Sequence, residues 1–292
     1  VAMVLASLCL AANEAGVRWM MDALVSTAFV AHLAILLMPV LLISQVVRAM
    51  TITAMPATSA YQATGNHAML RELLIRGIRY TMVLAMAVPM VAVFLMKDVL
   101  TAWVGADYAF LTPYALVLVV SSSFMMSSSI GHHMLKGLGE LRTVVWIYFG
   151  ALVVLPFGLI LALFGLGCDP YWTVTAGLAT GHVACGLANA LYAARAVGAR
   201  FLNLAMRGWV ACPATAAGAG LTVWSAGRVM GGEGLLFHAG LAGLAVAGHL
   251  AGCYFVIATK AERQQALGML KRAGQIVSGR CIRAGKESED QR

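Results

Sequence analysis

Glu14, Arg18 and Asp22 are spaced by four, so on a helix they form one charged stripe with two available ion pairs. Trp19, Met20 and Met21 beside them are apolar, which keeps the charges close to lipid. Charge inside a membrane is expensive and generally faces a polar path, so the stripe is expected to bind a ligand in a cavity. The other reading, an external loop between two spans, stays open. His32, His182 and His249 lie within apolar runs, where each could relay protons, hold a substrate or make one interhelical hydrogen bond. His132 and His133 adjoin Lys136, but no third ligand stands at metal-binding spacing. Ser121 to Ser123, Ser127 to Ser129 and Asn189 offer polar groups that suit packing hydrogen bonds. The chain carries no nucleophile motif, phosphate-binding loop or paired catalytic carboxylate. Lys136-Gly-Leu-Gly lacks the context of a nucleotide fingerprint and reads as a turn. We therefore expect neither an enzyme nor a cofactor.

The elements that must position these residues follow from composition. Of 292 residues, 61% are hydrophobic and 11% charged, against roughly 25% charged in a soluble domain. With a mean hydropathy of +0.84, the apolar residues must face lipid, and each span needs about 20 of them. The net charge of +8 sits between and after the apolar runs, so it orients the chain in a membrane and does not point to nucleic acid. The six cysteines lie singly, without the pattern of a disulfide framework or zinc site.

Apolar runs predict an all-α polytopic transmembrane bundle with seven full spans plus a truncated first one. They are Val1 to Ala12 (the short one), Leu24 to Val47, Tyr80 to Met96, Tyr108 to Ile130, Val144 to Phe164, Trp172 to Ala194, Gly208 to Ala226 and Leu235 to Ala258. If these alternate, all of the 20 basic residues except Arg18, Lys97 and Arg228 fall on one side. By the positive-inside rule that side is cytoplasmic, and so is the C-terminus. Residues 1 to 258 are expected to form the bundle, and residues 259 to 292 a basic cytoplasmic tail.

Two stretches look interfacial. Asn66 to Arg79 places Leu70, Leu73, Leu74 and Ile78 at helical spacing beside Arg71, Arg76 and Arg79, and the tail carries Leu267, Leu270 and Ile276 among Lys271, Arg272, Arg280 and Arg283. Both suit contact with anionic phospholipid; solvated flanks that only fix topology are the other reading. The pairs Gly177 and Gly181, Ala214 and Gly218, and Ala239 and Gly243 are expected at helix contacts. Pro39, Pro89, Pro156 and Pro213 should kink their helices.

Several motifs resemble one family in order and spacing. These are Met55-Pro-Ala-Thr-Ser-Ala-Tyr, Thr64-Gly-Asn-His, and Leu70-Arg-Glu-Leu-Leu-Ile-Arg-Gly-Ile-Arg-Tyr, followed by Trp103-Val-Gly-Ala-Asp-Tyr, Lys136-Gly-Leu-Gly-Glu-Leu-Arg and Phe164-Gly-Leu-Gly. Together they resemble the second half of the polysaccharide flippases in the multidrug/oligosaccharidyl-lipid/polysaccharide exporter superfamily, which includes O-antigen and teichoic acid exporters. The resemblance implies one bundle of a MATE-like exporter in a bacterial inner membrane, moving a lipid-linked oligosaccharide outward by alternating access. It also implies that charged cavity residues meet the carrier diphosphate, a part that Arg18, Arg48, Glu14 and Asp22 could take here. Arg suits it because its planar fork can pair two phosphate oxygens.

Two further readings stay open. One is a multidrug antiporter of the same superfamily, driven by a coupling cation, which should need an acid deep in a helix; Asp and Glu occur only near the ends of the later spans. The other is a half-transporter fragment that does not transport. The chain starts at Val1 without Met, so we expect a missing N-terminal half, or self-association, to complete the cavity.

Overall fold

The computed structural model describes residues 2–232, 234–259 and 262–264, and among these it contains helices and no strand. The acidic residue Glu233 and the amphipathic part of the tail, from Leu267 onward, lie outside the described residues. The helices are α1 (Ala2–Leu24), α2 (Thr27–Thr51), α3 (Ala54–Ala63), α4 (His67–Val104), α5 (Thr112–Ser127), α6 (Ser129–Gly137), α7 (Leu141–Tyr148), α8 (Leu155–Gly165), α9 (Pro170–Ala196), α10 (Phe201–Leu204), α11 (Ala211–Met230) and α12 (Leu235–Val256). Local sequence sets their starts. Side chains of Ser26, Asn66 and Asp169 accept from the amides of Phe29, Met69 and Trp172, capping α2, α4 and α9. The Lys136-Gly-Leu-Gly turn forms as expected, with Gly139 at φ +82°.

Six helical stretches are long and apolar enough to cross a membrane: Thr27–Ala63, His67–Val104, Ala106–Gly137, Leu141–Gly165, Pro170–Ala196 and Leu235–Val256. The chain is thus a membrane-embedded helical bundle. The expected seventh span, Gly208 to Ala226, is also helical but falls outside this set. Its run of Ala, Gly and Thr is less apolar than the others. The first helix departs from expectation. It does not stop near Ala12 but continues through Glu14, Arg18 and Asp22 to Leu24, 23 residues in all. The stripe is therefore helical, which removes the loop reading.

The long helix α4 holds the bundle together. It packs on α5 and on α12, while α5 packs on α9, α9 on α8, α11 on α12, and α1 on α7. Its buried seam runs at four-residue spacing through Leu70, Leu74, Ile78, Met82, Met86 and Met90. At 38 residues it is about 57 Å long, nearly twice the ~30 Å hydrocarbon core. The interfacial reading of Asn66 to Arg79 is corrected here. Leu70, Leu74 and Ile78 face protein and not lipid. The arginines are also engaged: Arg71 Nε donates to Val197 O at 2.9 Å, Arg76 pairs with Glu72, and buried Arg79 pairs with Glu262.

In lipid, helices associate by close packing and interhelical hydrogen bonds, so small residues and prolines matter more than apolarity. Gly177 and Gly181 do mark a contact: a Cβ there would lie 2.4 Å from Ile160 Cγ1 and 2.6 Å from Pro156 Cγ. Gly218 and Gly243 do not, since nothing lies within 4 Å of a Cβ at either. The α11–α12 contact instead uses Gly248 and Gly252, which meet Ala219 and Thr215. A proline leaves the carbonyl four residues earlier without its donor and collides with it. Two π-helical turns, Phe149–Val154 and Ala205–Val210, precede Pro156 and Pro213 and widen the helix there. Neighbouring helices serve two of the stranded carbonyls. Asn13 Nδ2 donates to Leu152 O at 2.5 Å, and Ser123 Oγ donates to Ala85 O, four residues before Pro89, at 2.9 Å.

Candidate functional site

α1 packs on α2, on α7 and on the π turn that follows α7, α2 packs on α5 and α6, and two cavities that share Leu10, Ser44, Arg48, Met125 and Met126 open among these helices and α9. Together they form one groove. Its first chamber, about 110 Å³, is bordered by Asn13, Glu14, Arg18, Arg48 and His182. The second, about 360 Å³, is bordered by Arg48, Ser129, His132, His133, Lys136 and Asn189. Helical periodicity makes this convergence possible: Glu14 and Arg18 share one face of α1, and Ser44 and Arg48 share one face of α2.

Three of the four residues singled out from sequence therefore meet along one groove: Glu14, Arg18 and Arg48. Asp22 does not join them. It stands exposed at the end of α1, where its carboxylate accepts from Thr27 Oγ1 at 2.7 Å across the turn into α2. The ion pairs expected along the stripe do not form; among the described residues no ion pair includes Glu14, Arg18, Asp22, Arg48 or Lys136. Arg18 borders the groove, whereas Asp22 is engaged beyond its end at the α1–α2 turn.

The groove carries an excess of positive charge and unusually poor internal hydrogen bonding. Buried side-chain polar atoms normally find partners. Arg18 Nε, Ser129 Oγ, His132 Nδ1 and Asn189 Oδ1 find none, and all four residues border the groove. Elsewhere among the described residues only Thr173 and Thr175 share that condition. His132 is held in place by Tyr148, which borders the same chamber. Its ring stacks on Tyr148 with centroids 4.9 Å apart, and its Nε2 meets the Tyr148 hydroxyl at 3.3 Å. The arrangement suits an anion with several oxygens, which would satisfy guanidinium, ammonium and imidazole donors together.

His32, His182 and His249 make interhelical hydrogen bonds. His32 Nδ1 meets the Tyr171 hydroxyl at 2.5 Å, His182 Nδ1 meets Ser121 Oγ at 3.3 Å, and His249 meets Val83 O and Thr215 Oγ1, each at 3.1 Å. His182 in addition borders the first chamber. Sequence reading missed Asn13 and did not link the His132, His133 and Lys136 cluster to Arg48. The cluster was visible as adjacent residues, but nothing local places it beside α2. The fold carries Lys136 to the same groove as Arg48, 88 positions earlier in the chain.

No protein-family model, curated protein or solved structure matches this chain.

Proposed function

We propose that this chain is one bundle of an exporter that moves a polyprenyl-diphosphate-linked oligosaccharide across a bacterial inner membrane by alternating access, with its C-terminus in the cytoplasm. The carrying observation is the groove, where, among the described residues, Arg18, Arg48 and Lys136 converge without ion-pair partners beside one carboxylate, Glu14. A diphosphate offers the oxygens that two guanidinium forks and an ammonium would pair. Hydroxyl groups of an attached sugar would meet the open atoms of Asn189 and Ser129. Glu14 and Arg48 are exposed along the groove, on the side where a second bundle would close it. A second copy of this chain, or another polypeptide with a bundle of the same kind, would supply it.

Depleting the full gene product should strand the lipid-linked oligosaccharide on the cytoplasmic leaflet, where an impermeant lectin cannot reach it from outside. Surface polysaccharide that stays at parental level after depletion would overturn the reading. The antiporter alternative requires a carboxylate that binds a cation in the path, and Glu14 is the carboxylate bordering the groove. A Glu14→Gln variant that loses drug protection but keeps polysaccharide export would reverse the ranking.

A further inference from the structure

A second concave surface lies on the outside of the bundle, away from the charged groove. It is a cleft of about 850 Å³ between α7, the following π turn, α8 and α9. Thr143, Trp146, Gly150, Val154 and Gly158 recur along one face, and Ala184, Ala188 and Tyr192 line the other wall. From Thr143 to Leu159 the cleft runs about 24 Å along the helix axis, most of the ~30 Å of a bilayer's apolar core. Its floor is open because Gly150 and Gly158 carry no side chain, and nothing lies within 4 Å of a Cβ built at either.

The cleft is not uniform along its length. Thr143 and Tyr192, its polar residues, stand level with each other because α7 begins where α9 ends. Arg142 precedes Thr143, and the Arg195 guanidinium lies 5.6 Å from the centre of the Tyr192 ring. Glu140 is at the same mouth, accepting from Thr143 Oγ1 at 3.1 Å. The basic residues outnumber it, and the rest of the cleft is apolar. A hydrocarbon chain with an anionic head at one end has the complementary shape. A packing helix from another copy would have no use for a basic mouth on an apolar slot.

We infer that this cleft is a binding site for an anionic phospholipid, one acyl chain lying over Gly150 and Gly158 and the phosphate held at Arg142 and Arg195. This stands on the cleft's own residues and is independent of what the groove on the other face transports.

The test places the full chain in phosphatidylcholine vesicles doped with either a phosphatidylglycerol or a phosphatidylcholine that carries a photoactivatable diazirine on its acyl chain. Peptide mapping then locates the adducts. Labelling should concentrate on residues 143 to 159 and 184 to 192, with phosphatidylglycerol favoured about fivefold for each effective basic residue. Replacing both arginines (R142Q, R195Q) should abolish that preference. Filling the floor (G150L, G158L) should remove the labelling, because both positions have open space around them. Equal labelling by the two lipids, or labelling of the cleft no stronger than around exposed Leu235 and Leu236, would overturn the inference. So would a crosslink through Trp146 to a second copy. If the variants fail to fold, the comparison of the two lipids on the parent chain still decides.

Discussion

Asn13 Nδ2 on α1 donates to the carbonyl oxygen of Leu152, the group that Pro156 leaves without a helical donor. The side chain therefore closes the backbone of one helix from another. It does so directly beside Glu14, so the charged stripe is pinned against the π turn. Removing the amide should matter through that carbonyl. Asn13→Leu is expected to destabilise the protein by about 1–3 kcal/mol, the range for an unsatisfied buried polar group. Pro156→Ala restores an amide donor, and combined with Asn13→Leu it should recover much of the loss. Thermal unfolding of the four-member mutant cycle measures the coupling, and strictly additive effects would refute it.

The groove separates residues that the sequence presents as equivalent. On the proposed function, Arg18→Gln and Arg48→Gln should each reduce export of the lipid-linked sugar by about tenfold or more, the loss expected for a charge-assisted hydrogen bond. Asp22→Asn should stay within about twofold, because Asp22 serves only the α1–α2 turn. Complementation of a depleted strain, scored by surface polysaccharide, compares the three. An Asp22 variant as impaired as the arginine variants would show that the whole stripe, and not the groove, is what functions.

Glycines with the same spacing should respond oppositely to an added side chain. Gly181→Val must displace Pro156 and the Ala151 carbonyl, whose oxygen lies 2.8 Å from a Cβ at that position. Overpacking of this kind costs about 1–3 kcal/mol or more. Gly243→Val meets open space and should be tolerated, so detergent-solubilised yield and melting temperature should fall for the first variant alone.

Glu262 ties the end of α12 to α4. Burial alone would push its carboxyl up, but the Thr259 amide, the Tyr80 and Thr259 hydroxyls and Arg79 outweigh it and hold it at about 2, below the ordinary 4.5. A depressed folded-state value means that this stabilisation is complete above about pH 4.5 and is lost as pH falls toward about 2. Glu262→Gln leaves Arg79 buried without its partner, at an expected loss of about 3–5 kcal/mol near neutral pH. Melting curves of parent and variant should converge as the pH is lowered through that window. A gap that stays constant would remove Glu262 as its source.

Much of this protein is written in local sequence. Runs of apolar residues specify helices that face lipid, and basic residues collect at the ends of those runs. Ser26, Asn66 and Asp169 mark helix starts, and the Lys136-Gly-Leu-Gly turn lies where its glycines require it. These features depend on a few neighbouring residues, so composition and period suffice to read them. The tertiary structure decided what depends on register between helices. It brought Arg18, Arg48 and Lys136 to one groove and sent Asp22 elsewhere. It chose Gly177, Gly181, Gly248 and Gly252 over Gly218 and Gly243 as contacts, and it turned the expected lipid-facing leucines of α4 inward. Helical spacing says which residues share a face, but not which neighbour that face meets. In a chain so uniformly apolar, hydrophobicity cannot choose the partner. Close packing does, together with the carbonyls of Ala85 and Leu152 that Pro89 and Pro156 strand, and these act between residues far apart in the chain.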